Sequence, residues 1–194
     1  MNKIATLLSV AVFSLFYLAS VPHAAPLAHT EPLPEITLTT PESADHIKYL
    51  GLKSKAGESF TLSDIDADIL MIELFSMYCP YCQKAAPVVN ELYALMEKKS
   101  QPDMKLVIIG IGANNTDLEV ETFQKGFDIP FPMFSDPDMS SYKTLAGAGT
   151  PTFIACKKDG ENKHQIFFRK SGGFRDAPLF FNNLLKYSKE GETP

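Results

Sequence analysis

The amino-acid sequence predicts an α/β fold in which a central mixed β-sheet is flanked by helices. Two segments, 69–75 and 104–111, are almost continuously apolar, which is typical of parallel strands covered on both faces. A segment with helical spacing follows the first, and a helix-start signal follows the second. Near the C-terminus, the turn at 158–162 separates two more strand-like segments and predicts a hairpin, so part of the sheet is expected to be antiparallel.

The first 24 residues predict a secretory signal peptide. Lys3 provides a short basic start, residues 4–18 form an apolar run, and Ala24 and Ala25 are small residues at a cleavage point. An uncleaved membrane anchor remains the alternative, because the run is close to the lower length limit for a spanning helix. Export predicts a periplasmic location, in which disulfide bonds persist.

Residues 25–45 contain four prolines among small and polar residues, and they predict an extended linker or a lead-in strand outside the packed core. The folded domain is then expected to cover 46–194. Within it, 46–52 and 59–62 are strand-like and are separated by a turn, which predicts an N-terminal β-hairpin.

The first buried strand leads directly into Cys79-Pro80-Tyr81-Cys82, which opens a predicted helix that continues to about residue 98. Unpaired backbone N–H groups and the positive end of the helix dipole stabilise a thiolate at this position. Such placement can lower a cysteine pKa from about 8.5 to roughly 3.5–7.5. Pro80 suits the first helical turn, where its missing N–H costs no hydrogen bond.

The later elements follow from capping signals and turns. Thr116 and Glu119 have capping-box spacing, which predicts a helix over 116–125. Asp176 is expected to cap a final helix that ends near residue 187. The remaining predictions are an extended piece at 129–134, a short helix at 139–145, and hairpin strands at 152–157 and 163–169.

Composition limits the possible functions. The chain has 194 residues, enough for one domain with a full core, and a net charge of −5 without a basic run, so nucleic acid is not expected as a partner.

Three cysteines are too few for a disulfide scaffold. A zinc site needs four ligands, and the four histidines show no ligand spacing, so neither a metal nor another cofactor is expected. The closely spaced pair Cys79 and Cys82 is therefore interpreted as redox-active.

Several motifs together resemble the thioredoxin superfamily and, within it, the exported thiol–disulfide oxidoreductases of the TlpA/ResA type. The matching features are Glu73 six residues before the first cysteine, Cys79-Pro-Tyr-Cys82, Pro87, and Gly149-Thr-Pro151-Thr-Phe-Ile. The resemblance implies a thioredoxin-like fold over about 46–189, with an extra βα insertion between residues 110 and 149. The chain departs from the family by having Tyr78 where a tryptophan is usual, and by its Pro80-Tyr81 dipeptide, which is that of glutaredoxins.

The resemblance also implies roles for individual residues. Cys79 would attack a substrate disulfide, and Cys82 would resolve the resulting mixed disulfide. Strand alternation puts Glu73 on the face that the helix covers. A buried carboxyl there would have a raised pKa and would take the proton from Cys82, unless it is a partly exposed glutamate without a role. Thr150 and Pro151 resemble the cis-proline loop that faces the substrate.

Three positions beside the cysteines are less specific. Pro80 belongs to the dipeptide that tunes the redox potential in this family. Tyr78 and Tyr81 either line the approach to Cys79 or are ordinary surface aromatics. Cys156, alone on a predicted strand, is expected to be a free and inert core residue.

The sequence therefore predicts a periplasmic thiol–disulfide oxidoreductase that acts on protein thiols or disulfides. Reduction of client disulfides is favoured over their formation, and the electrons are expected to come from an upstream membrane or periplasmic donor. A membrane is expected as a partner only if the N-terminal segment stays uncleaved. Three alternatives remain: a disulfide-forming oxidant, a peroxiredoxin-like peroxidase, and a binding or chaperone module whose thiols sense redox state. The first depends on the reduction potential, which spans about −270 to −120 mV among such proteins.

Overall fold

A computed structural model of the protein describes residues 30–100, 104–161 and 163–190. The signal peptide predicted for residues 1–24 lies outside the described residues. The described residues form eight strands and five helices. The strands are β1 (Glu31–Pro32), β2 (Thr37–Thr39), β3 (Ser59–Thr61), β4 (Ile69–Phe75), β5 (Leu106–Ala113), β6 (Met133–Asp136), β7 (Thr152–Lys158) and β8 (His164–Ser171). The helices are α1 (Ala44–Leu50), α2 (Pro80–Lys99), α3 (Asp117–Gly126), α4 (Ser140–Thr144) and α5 (Ala177–Glu190).

Six strands form one mixed sheet in the order β1-β8-β7-β4-β5-β6. The central strand β4 pairs in parallel with β5 and antiparallel with β7, and β5 pairs in parallel with β6. Strands β7 and β8 form the predicted C-terminal hairpin. The mixed sheet flanked by helices confirms the predicted fold class.

Strand β4 carries the centre of the core, and all seven of its residues are buried. Ile69, Met71 and Phe75 pack into a cluster with apolar residues of α2 and α5. The alternate residues Leu70 and Ile72 join a second cluster on the opposite face of the sheet. Because successive strand residues face opposite sides, Glu73 lies on the face that α2 covers, as the sequence predicts.

The N-terminal hairpin predicted from 46–52 and 59–62 is wrong, because residues 44–50 form helix α1. The Ser43 side chain caps this helix by accepting a hydrogen bond from the His46 N–H. At the other end, Gly51 has a φ of 68°, and its N–H bonds back to the carbonyls of Ile47 and Lys48. These two end signals outweigh the β-branched and aromatic residues that suggested a strand.

Strand β3 instead pairs antiparallel with β2, which lies inside the proline-rich lead-in. Ile36 and Leu38 alternate toward the core and are buried there with Phe60. Glu31 also forms an ion pair with Arg169 of β8. The lead-in does contain short strands, but the prediction that it stays outside the packed core is wrong for residues 36–40, because alternate side chains of this segment are buried.

The segment between β5 and β7 contains α3, β6 and α4, and it adds one strand and two helices beside the central strands. Its first helix begins as predicted: the Thr116 and Glu119 side chains form a reciprocal capping box. Strand β6 extends the sheet along the C-terminal half of β5. Among the described residues, no helix is both long enough and apolar enough to span a membrane.

Candidate active site

Cys79 occupies the N-cap position of α2, at the end of the short connection from β4 to this helix. Its N–H donates to the Ser76 carbonyl at 3.0 Å, and its own carbonyl accepts from the Cys82 and Gln83 N–H groups at 3.0 and 3.1 Å. The half-buried Cys79 Sγ lies 3.1 Å from the carbonyl oxygen of Thr150. The first sulfur of the pair thus lies at the tip of the helix, between the helix and the loop that precedes β7.

The surroundings of Cys79 lower its pKa below the ordinary value of a thiol. Partial burial acts in the opposite direction, but hydrogen bonds from the Thr150 side chain and from the Cys82 and Tyr81 backbone favour the thiolate. The Thr150 carbonyl accepts from the protonated thiol and so favours the neutral form. Together the hydrogen bonds that the sulfur receives, of which that of the Thr150 side chain is the largest, outweigh burial and lower the pKa.

Cys82 lies one helical turn further on and is fully buried. Burial strongly raises its pKa, and the negative charges of Glu73 and Cys79 raise it further, whereas a hydrogen bond from the Ser76 backbone lowers it. The two sulfurs therefore have pKa values that are displaced in opposite directions. This asymmetry suits one accessible nucleophile and one protected thiol that reacts second.

Glu73 is 2% exposed, in the middle of β4, opposite Gly110 of β5 and Phe153 of β7. Burial of its carboxyl raises the pKa to about 8, compared with an ordinary value of 4.5. A carboxyl with such a pKa exchanges protons near neutral pH. When ionised, Glu73 also raises the pKa of Cys82, so the protonation states of the two buried groups depend on each other.

The loop before β7 lies beside Cys79 and is braced from several directions. The peptide bond between Thr150 and Pro151 is cis. The Pro151 carbonyl accepts from the Gly172 N–H at 2.8 Å, and the Gly149 N–H donates to the Tyr142 hydroxyl at 2.7 Å. These contacts hold the loop against the sulfur of Cys79.

The other predicted substrate-contacting residues lie on the surface around the helix tip. Pro80 is the first residue of α2 and is exposed. Tyr78 and Tyr81 are 63% and 71% exposed, which makes them two of the most exposed large apolar side chains in the part of the chain that the structure describes. The Tyr78 hydroxyl donates a hydrogen bond to Glu119 of α3.

Asn115, at the end of β5, belongs to the same region and is absent from the sequence-based prediction of the site. Its Oδ1 accepts a hydrogen bond from the Met77 N–H at 2.9 Å. The available signal is positional: β4 and β5 are parallel neighbours, so the polar residues that follow β5 lie at the same sheet edge as the cysteine loop.

Cys156 is fully buried in β7, and burial strongly raises the pKa of its thiol. Its free state and its place in the core agree with the prediction, and its inertness stays a prediction. Within the described ranges, no group of three or more histidine, cysteine, aspartate or glutamate side chains has a metal-binding arrangement.

Comparison with known proteins places these features in a family. A sequence model of the family described as the AhpC/TSA family matches residues 43–172 of this chain. The thiol-disulfide oxidoreductase ResA of Bacillus thuringiensis subsp. konkukian is 30% identical over 110 residues, which cover 57% of this chain and 61% of that protein. The chain thus matches about three fifths of the length of this curated relative.

Two solved structures show the same fold. A thiol:disulfide interchange protein from Bacteroides sp. superposes with a TM-score of 0.58 at 15% identity, covering 82% of this chain and 90% of the other. StoA from Bacillus subtilis superposes with a TM-score of 0.53 at 16% identity, covering 77% and 95% respectively. The predicted thioredoxin-like fold is confirmed.

Proposed function

The chain belongs to the AhpC/TSA family, and from this premise we propose that it is a thiol–disulfide oxidoreductase that exchanges electrons with protein clients. The observation that supports this proposal most directly is the placement of Cys79. Its sulfur lies at a helix N-terminus, with a lowered pKa, next to the buried Cys82. The name of the ResA relative describes the same class of reaction.

In the first step, the Cys79 thiolate attacks one sulfur of a client disulfide. The client S–S bond breaks, a bond forms between Cys79 Sγ and the client, and the second client sulfur leaves as a thiolate. The loop at Thr150 and Pro151 would flank the client chain, because the Thr150 carbonyl oxygen lies 3.1 Å from Cys79 Sγ. Tyr78 and Tyr81 would form the exposed apolar rim of this approach.

In the second step, Cys82 attacks Cys79 Sγ and releases the client as a dithiol. Cys79 and Cys82 become a disulfide, so the client gains the two electrons that the pair loses. Cys82 must lose a proton, and burial makes this unfavourable. The ionised form of Glu73 is suited to accept that proton. Its pKa of about 8 lies close to neutral pH, so the carboxyl can both bind and release a proton there.

We propose the reductase direction, with an upstream membrane or periplasmic donor that returns electrons to the pair. The disulfide-forming direction is a second candidate with its own supporting observation. Stabilising the Cys79 thiolate favours the reduced pair, which raises the reduction potential. Equilibration of the pair against glutathione buffers distinguishes the two, because a reductase lies toward −270 mV and an oxidant toward −120 mV, in approximate terms.

We further propose that the protein works in the periplasm after removal of residues 1–24. The apolar run at residues 4–18 and the small residues before position 26 support this proposal. N-terminal sequencing of the protein recovered from a periplasmic fraction tests it, and a start at Met1 in the membrane fraction would favour the uncleaved anchor.

The peroxidase and the redox-sensing module remain lower-ranked candidates. If the protein is a peroxidase, the amount of peroxide consumed should depend on the Cys79 thiol and should need no client thiol. A sensing or chaperone module would bind its partners equally well without either cysteine. Both assays use the intact protein and separate these functions from disulfide exchange.

The central experiment measures reduction of a protein disulfide, such as insulin, with dithiothreitol as the electron source. We expect Cys79→Ser to abolish the catalysed reaction, because the attacking sulfur is lost. Cys156→Ala is the matched control, because it removes a buried cysteine away from the helix tip and should leave the reaction unchanged. Full activity in Cys79→Ser would contradict the proposed function.

A further inference from the structure

We propose that Asn115 is a positioning residue for disulfide exchange, which acts on Cys79 through the backbone of Met77. The inference rests on the proposed function. Neither cysteine is among the hydrogen-bond partners described for Asn115, so its effect would be transmitted through the loop that carries Cys79.

The side chain of Asn115 is fully buried, and both of its polar ends are occupied. Oδ1 accepts from the Met77 N–H at 2.9 Å, and Nδ2 donates to the Asn114 carbonyl at 2.9 Å. Its backbone is held as well, since its N–H donates to Gly112 at 3.0 Å and its carbonyl accepts from Asp136 at 3.2 Å. Asn115 is therefore a fixed point on the end of β5.

The Met77 peptide is held at its other end too. Its carbonyl accepts a hydrogen bond from Gln83 Nε2 at 2.8 Å. Two residues later, the Cys79 N–H donates to the Ser76 carbonyl and closes the turn. The short connection between β4 and α2 is thus anchored to the neighbouring strand by Asn115 and to its own helix by Gln83.

This anchoring determines where the sulfur lies. Residues 76–79 deliver Cys79 to the helix N-cap, where the backbone N–H groups stabilise the thiolate. If the Met77 N–H lost its acceptor, a partly buried donor would remain unsatisfied and the turn would shift toward another partner.

The test compares Asn115→Ala with Asn90→Ala in the full protein. Asn90 is a matched control, because its amide also makes two hydrogen bonds to backbone groups, in its case the carbonyls of Phe127 and Asp128, but from the middle of α2. Two quantities are measured: the pH dependence of Cys79 alkylation by iodoacetamide, and the rate of insulin reduction.

We expect Asn115→Ala to raise the pKa of Cys79 and to slow reduction about tenfold, as expected for the loss of one partly buried hydrogen bond. Asn90→Ala should change neither quantity by more than about twofold. A folded Asn115→Ala protein that matched Asn90→Ala in both measurements would overturn the proposal.

Gln83→Ala provides a second variant at an exposed position that tolerates truncation. It removes the other anchor of Met77 and should change both quantities in the same direction, with reduction slowed about two- to threefold. Unchanged values would overturn the anchoring argument even if Asn115→Ala failed to fold. Alkylation needs no client, so it tests the inference separately: a wild-type protein without exchange activity would refute the proposed function alone.

Discussion

Replacing Glu73 by glutamine should change the pH dependence of stability in a defined direction. Glu73 is buried in the central strand, and burial alone accounts for its raised pKa. Its carboxyl binds a proton more tightly in the folded protein than in the unfolded chain. Stability from this group is therefore fully present below pH 4.5 and is lost as the pH rises through about 8.

The magnitude follows from the two pKa values. A pKa of about 8 in place of 4.5 means that burial disfavours the carboxylate by about 5 kcal/mol relative to the acid. Most of this loss falls between pH 5 and pH 8, where the wild-type protein should lose about 3–4 kcal/mol relative to Glu73→Gln. Glutamine is neutral at every pH and has nearly the same size, so it mimics the protonated acid.

Guanidinium unfolding of both proteins at pH 5 and pH 8, with the thiols kept reduced, measures this difference. The lowered pKa values of His46 and His164 also make stability depend on pH, but they are common to both proteins and cancel in the comparison. Parallel stability profiles for the two proteins would refute the reasoning, because they would show that Glu73 does not change its protonation on unfolding in this range.

Three further predictions concern the loop, the lead-in and the first cysteine. A Cβ at Gly147 would clash with the Tyr142 ring, so Gly147→Ala should cost about 1–3 kcal/mol in guanidinium unfolding, whereas Gly160→Ala, with open space around it, should be near neutral. Leu38→Ala should cost about 2–5 kcal/mol in the same assay, and a neutral effect would show that the lead-in does not contribute to the core. Alkylation of Cys79 should reach half its maximal rate below the ordinary thiol pKa, and a midpoint above that value would contradict the N-cap argument.

The parts of the fold that the sequence predicts well are those in which local and long-range signals agree. The apolar run of β4 is too continuous for an exposed strand, and the Thr116–Glu119 capping box marks the start of α3. The strand predicted over 46–52 is wrong because the composition of this segment favours a strand, whereas the cap at Ser43 and the left-handed Gly51 decide for a helix over 44–50. The predicted partner of β3 is wrong as a consequence.

The site shows the same division. The sequence predicts Cys79 and Cys82 as a pair from their spacing and from the helix that follows, and the structure places them at the start of α2. Asn115 lies 38 residues from Met77 in sequence, and a single asparagine after a strand carries no local sign of such a contact. Contacts that depend on the register of parallel strands emerge only when the three-dimensional arrangement is known.

The most direct test of the proposed mechanism is to trap its covalent intermediate. Cys82→Ala removes the resolving thiol, so the bond between Cys79 and a client should persist. The variant is incubated with an oxidised client protein, quenched in acid and analysed by peptide mass spectrometry under non-reducing conditions. We predict a mixed disulfide mapped to Cys79 that is absent in the wild-type protein and in Cys79→Ser/Cys82→Ala. A mixed disulfide on Cys156 instead, or none with any disulfide client, would contradict the assignment of Cys79 as the attacking sulfur.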